Sequence, residues 1–292
     1  MPELDPLLGI MTGKNRYPSS TRSTAPRTLD PPGRAVLLAA HGSRCQLQSG
    51  IGAREHARRL SAEYGVHEVA VAFRQGKPSF SEVLNSISSR EITVVPFFSC
   101  HGYFSQRVLP RELSLNRHYS RRRVQFTEPV GTHPRIPVLV AQRMGEIFHR
   151  FQLKPERTAL LVVGHGTHRH ATSASSTLNL ASHLTKNVPC ANVQPAFLDE
   201  RPFLEETFQN LSQDQIVVLP FFMGESYHVL QDIPRRLALE NPISDRFPAE
   251  STQAGRRVIV DRAVGLDPGL TAVVAEMVGC LPTDSGDRMS EG

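Results

Sequence analysis

His228 and Asp232 stand four residues apart in VVLPFFMGESYHVLQDIPRRL, residues 217–237. The stretch opens as an apolar, β-branched run that reads as a buried strand closed by Pro220. A helix from about Tyr227 would then put both polar side chains on one face. Open α/β sheets bind ligands at the carboxyl ends of such strands. His165 follows another apolar run, TALLVV (158–163), and Asp199 with Glu200 follows a further strand-like segment. All three segments belong to neighbouring strands, so two imidazoles and a carboxylate from Asp199 or Glu200 can converge on one crevice. That set suits a borderline divalent metal such as Co, Fe, Ni or Zn, and the same groups can accept protons near neutral pH. The spacing is neither a zinc finger nor HExxH, which argues against a permanently held structural metal.

The elements that would position these groups occur twice. RAVLLAA leads into HGSR at His41 as TALLVV leads into GHGTHRH at His165, an offset of 124 residues that persists without a gap. Phe73 answers Phe197, Pro78 answers Pro202, Pro96-Phe97-Phe98 answers Pro220-Phe221-Phe222, and Pro110-Arg111 answers Pro234-Arg235. An insertion around residues 241–254 then raises the offset to 134, at which Val130-Gly131 answers Val264-Gly265. Each copy reads as strands alternating with helices, which implies a parallel sheet covered on both faces. In the first copy the strands are expected near 34–40, 69–73, 92–97 and 124–127. Its helices are expected near 51–64, 78–87, 108–115 and 136–151. The domains are drawn as 34–154 and 155–281, after a disordered leader (1–33) rich in Pro, Ser, Thr and Arg and before a polar tail (282–292).

A duplicated unit makes each half a control for the other. His41 and His165 are common to both halves, so His41 can either hydrogen-bond across its loop or serve as a secondary site residue. His228 is matched by Phe104, Asp232 by Val108, and Asp199-Glu200 by Gln75-Gly76. The reactive set is therefore a property of the second half. His168-Arg169-His170 forms an HxH of the metallohydrolase kind, which makes a metal-dependent hydrolase using His165, His168 and His170 one rival. His101 with Cys100 offers a secondary pair of ligands in the first half. Ser43 and Thr167 read as caps of the turns that follow. No GxxxxGK[ST], GxGxxG or GxSxG motif supports a nucleotide site or a serine hydrolase.

Composition narrows the class. The chain has 292 residues, 39% hydrophobic and 21% charged, with a formal net charge of +5, ordinary values for a globular protein of about two domains. Cys45, Cys100, Cys190 and Cys280 include no CxxC, so neither a disulfide framework nor a zinc ribbon is indicated. No apolar run reaches the length of a membrane span and no signal peptide is evident, so a cytoplasmic protein without a membrane partner is expected. The basic balance fits an anionic ligand. A single tight run, Arg121-Arg122-Arg123, is too little for nucleic-acid binding.

HGS after the first strand, a Phe-x-(Asp/Glu) element before a proline, and P-x-F-x-x-x-x-Y-H-x-x-x-D-x-P together resemble the class II tetrapyrrole chelatases of the CbiX/SirB type. The likeness spans residues from about 34 to 281 and matches the long form, in which two flavodoxin-like chelatase domains lie in tandem. The resemblance implies a lyase inserting cobalt or ferrous iron into sirohydrochlorin for cobalamin or siroheme synthesis. The metal is then a substrate and no organic cofactor is needed. The family's histidines map onto His165 and His228 and its acid onto Asp199, with Glu200 a further candidate ligand. Arg235, Arg236, Tyr227, Gly166 and Thr167 would meet the macrocycle and its carboxylates. Arg74, Arg107 and Arg111 are further rim cations. The first half is expected to be non-catalytic and the protein to be a monomer or homodimer. A non-catalytic tetrapyrrole or metal carrier is the second rival.

Overall fold

The computed structural model describes residues 33–43, 50–114, 122–167, 174–224, 226–240 and 247–280. The leader, the polar tail and His168 to His170 lie outside the described residues, apart from Gly33.

The first half runs β1 (Arg34–Gly42), α1 (Ile51–Tyr64), β2 (Glu68–Gln75), α2 (Phe80–Ser86), β3 (Glu91–Pro96), α3 (Leu109–Ser114), β4 (Arg123–Phe126) and α4 (Arg135–Phe151). The second half runs β5 (Thr158–Gly164), α5 (Ser175–Asn187), β6 (Asn192–Phe197), α6 (Leu204–Gln209), β7 (Gln215–Pro220), α7 (Ile233–Arg236), β8 (Ala249–Gln253), β9 (Arg256–Val260) and α8 (Leu270–Met277). The sheets have the orders β2-β1-β3-β4 and β6-β5-β7-β9-β8. All pairs are parallel except β8 with β9. The expected parallel sheets are therefore present, with one correction: the inserted segment supplies an antiparallel edge strand to the second.

The central strands are buried on both faces, as parallel strands must be when helices cover them. Alternation along β1 sends Val36, Leu38 and Ala40 into one core and Ala35, Leu37 and Ala39 into another. The outer cores are closed by α2 and α3 on the first sheet and by α6 and α7 on the second. The inner core is shared. Leu60 of α1, Val140 and Met144 of α4, Leu184 of α5 and Val274 of α8 pack into one continuous cluster between the two sheets. In α4 the apolar positions Ile136, Val140, Met144 and Ile147 fall on one helical face, which dictates that burial. α1 packs on α8 and α4 on α5; these are the same pair of elements met twice, so the halves are related by a pseudo-two-fold.

Polar groups fix this packing. Arg143 is 4% exposed and reaches Asp261 at 2.5 Å, Asp267 at 3.1 Å and the carbonyl of Arg262 at 3.0 Å, all in the other half. His56 lies 2.8 Å from Thr271 Oγ1 through Nδ1 and donates from Nε2 to Gly265 O at 2.9 Å. The helices expected after β3 and β7 begin with five-residue π turns, Phe104–Val108 and His228–Asp232, before α3 and α7. No helix among the described residues is long and apolar enough to cross a membrane.

Candidate active site

From β5 the chain crosses to β6 on one side and from β7 it runs to the β9 side, so the loops leaving the adjacent strands β5 and β7 diverge and leave a crevice. His165 sits on the first loop and His228 begins the π turn after the second. Their rings meet edge to face, centroids 4.8 Å apart, and both line a cavity of about 830 Å³. That volume lies within the range of small-molecule sites.

Each ring is anchored through Nδ1. Asp232 Oδ2 accepts from His228 Nδ1 at 2.7 Å, and the Asp232 side chain is only 12% exposed. The π turn brings this pair together although it is not the plain α-helix the spacing predicts. His165 Nδ1 donates to Gly166 O at 2.9 Å, with Asp199 Oδ2 at 3.4 Å on the same edge. Both rings thereby keep an Nε2 lone pair for a metal or a proton, the arrangement second-layer carboxylates impose on metal-binding imidazoles.

The His165 loop needs its glycine. Gly166 has φ +72°, and a Cβ there would lie 2.6 Å from Glu200 Cγ. Glu200 in turn accepts from the backbone N–H of Thr167 at 3.0 Å, so its carboxylate braces the loop. Gly166 and Thr167 line the cavity, whereas Asp199, Glu200, Tyr227, Arg235 and Arg236 do not. Arg236 donates to Leu198 O at 2.7 Å and approaches Glu205 at 3.5 Å, holding the Asp199 segment in place. Arg235 lies 3.7 Å from Asp232, and Tyr227 is 51% exposed.

The first half builds the facing wall, and its aromatic part is not visible in the sequence because repeats do not reveal how their copies pack. His41, Cys100, Phe98 and Phe104 all line the same cavity. His41 meets Phe104 edge to face at 5.9 Å where His165 meets His228. Burial, with the nearby cation Arg74 and the imidazoles His165 and His228, holds His41 below the ordinary imidazole range. Burial pushes the Cys100 thiol up, and the charge of Glu200 adds to that. His101 instead pairs with Glu128 at 3.0 Å and is not part of the lining. Ser226 also lines the cavity, and its buried Oγ has no hydrogen-bond partner among the described residues. Among the described residues no three His, Cys, Asp or Glu side chains are grouped to hold a metal ion. What the cavity offers is a pair of imidazoles, His165 and His228, facing a wall made of His41 and the aromatic rings of Phe98 and Phe104.

Comparison with known proteins agrees with the duplication. The CbiX family profile matches residues 35–147 and again 159–279, once in each half. The probable sirohydrochlorin cobaltochelatase of Halobacterium salinarum is 29% identical over 275 residues, covering 87% of this chain and 94% of the relative. The structure of CbiX described as the terminal enzyme of siroheme biosynthesis in denitrifying bacteria has 23% identity and a TM-score of 0.63, covering 84% of this chain and 97% of that one. SirB from Bacillus subtilis, solved with Fe3+, has 19% identity and a TM-score of 0.64, covering 84% and 94% respectively. The two solved structures establish likeness of fold.

Proposed function

The chain belongs to the CbiX family of class II tetrapyrrole chelatases, in its long two-domain form, and from that premise we propose that it inserts a divalent metal, cobalt or ferrous iron, into sirohydrochlorin in the cytoplasm, for cobalamin or siroheme synthesis. The observation that carries this reading is the pair His165 and His228, side by side on one wall of a cavity with aromatic residues opposite. Aromatic faces stack against a flat conjugated ring. The metal is substrate, and no organic cofactor enters the reaction.

Insertion exchanges the hydrated divalent ion and two pyrrole N–H protons for a metallated macrocycle and two released protons. Two neutral imidazoles bind a borderline metal through Nε2 but leave most of its coordination positions unfilled. The ring nitrogens can then take those positions one after another, and the ion leaves the protein as it enters the macrocycle. Each imidazole freed in this way is placed to accept one pyrrole proton and pass it to solvent. Asp232 behind His228 and Asp199 beside His165 favour the positive charge that develops there. In this scheme both carboxylates act by positioning and charge, and Glu200 acts by bracing the loop. A closed cage of three or four ligands would hold the ion too firmly to deliver it.

The test is insertion by the purified chain with sirohydrochlorin and Co2+ or Fe2+ in large excess, followed by the absorbance of the product. Many turnovers per chain are expected. One equivalent of metallated ring, retained on the protein, would support a carrier instead.

A further inference from the structure

Beside the main cavity lies a second, of about 520 Å³, lined by Tyr103, Arg107, Val108, Arg111 and Glu112. Tyr103 lines both, so the two spaces adjoin at its ring. Arg107 lies in the π turn of the first half and Arg111 in α3, four residues on. That spacing puts two guanidinium groups on one face. Both are exposed, and among the described residues neither makes an ion pair. The other arginines expected at the rim are engaged. Arg74 faces Glu112 at 3.7 Å and covers the Phe104 ring, while Arg235 and Arg236 are directed to Asp232 and Glu205. In the second half the counterparts of Arg107 and Arg111 are Gln231 and Arg235, so a paired cation face exists only on the side without the second imidazole.

We propose that Arg107 and Arg111 form a carboxylate-binding subsite that receives acidic substituents at the edge of a macrocycle held in the main cavity. The inference rests on reading that cavity as the tetrapyrrole site and adds a division of labour. The second half handles the metal, and the first half holds the anionic rim and sets the ring's orientation. A guanidinium presents a planar fork that matches a carboxylate with two parallel hydrogen bonds, and an adjoining open cavity gives flexible acid side chains room to reach it. A small free anion such as phosphate shares this chemistry, so the experiment must separate the two.

The test uses the full chain and the double substitution Arg107→Ala with Arg111→Ala, checked for an unchanged melting temperature. Equilibrium binding is read from the fluorescence of metal-free porphyrins, an octacarboxylate one and a dicarboxylate one, with and without phosphate and over a range of salt. The octacarboxylate should bind about tenfold more weakly and with a flatter salt dependence, as expected for losing two exposed charge-assisted contacts. The dicarboxylate should change by less than about twofold, and the loss in insertion kinetics should fall on KM more than on kcat. Lysines at both positions should restore part of the affinity. Equal losses for both porphyrins, or none, would overturn the subsite. So would phosphate binding that disappears while octacarboxylate binding stays. Failure of the unmodified chain to bind either porphyrin would instead overturn the reading on which it rests.

Discussion

The imidazoles of His165 and His228 stand at 81° to one another with centroids 4.8 Å apart, although 63 residues separate them in the chain. They are brought together by adjacent parallel strands, β5 and β7, whose loops part at the crevice. The first half repeats the geometry with one exchange. His41 meets Phe104 at 5.9 Å and an interplanar angle of 82°, so the fold does not require the second imidazole. The difference between the two pairs is chemical.

Asp232 is the most directly testable supporting group. Asp232→Asn keeps the volume and an acceptor for His228 Nδ1 but removes the charge. Metal-binding imidazoles that lose such a carboxylate typically lose about 10–100-fold in affinity or activity. Titration with Co2+ should show that loss with an unchanged melting temperature. Equal affinity would remove Asp232 from the account.

Arg143 tests the join between the halves. Its replacement by Met would leave Asp261 and Asp267, 1% and 6% exposed, with only the more distant Arg262, 4.0 Å from Asp267, as a cation. Breaking a buried ion pair by removing one partner costs about 3–5 kcal/mol. Denaturant unfolding should show a loss of that order, and a change below about 1 kcal/mol would mean that the network is not a stabilising lock.

His56 predicts a pH dependence with a definite sign. Burial between the halves holds it below the ordinary imidazole value that it has in the unfolded chain. The unfolded chain therefore takes up the proton first. The stability His56 contributes is complete above that unfolded value and is lost as pH falls through it toward the lower folded value. The melting temperature of His56→Gln should consequently fall less steeply than that of the unmodified chain from about pH 7 to pH 5. Parallel slopes would contradict the assignment.

Much of this was legible in the residues, and the omissions have physical causes. The constant offset between His41 and His165 exposed the duplication, because paired Pro, Phe and Gly positions mark strand ends and not merely apolar content. The convergence of His165 and His228 followed from strands that had to be neighbours. The edge strand Ala249–Gln253 was missed because AESTQ has no apolar alternation; it pairs on one side only and buries little. The π turns are not distinguishable from ordinary helix in the sequence, since a five-residue change of hydrogen-bonding pattern leaves no mark on residue type. Asp232 was recognised as sharing a face with His228 but was not placed among the site residues, for spacing alone does not show a 2.7 Å contact. Of the facing wall, residue types point only to the first half's arginines, to His41 and to Cys100, not to its aromatic rings. How two copies pack depends on the combined shape of α1, α4, α5 and α8, which no single repeat contains.

The central claim is that the second half performs insertion, and the direct measurement is the rate of Co2+ and Fe2+ insertion by the unmodified chain, His228→Ala and His41→Ala, side by side. His228→Ala should lose about 10²-fold or more with either metal, the usual loss for a positioned base, while His41→Ala, on the wall facing the His165–His228 pair and packed edge to face on Phe104, should lose far less. An inactive His41→Ala beside a working His228→Ala would show that the halves have the opposite roles.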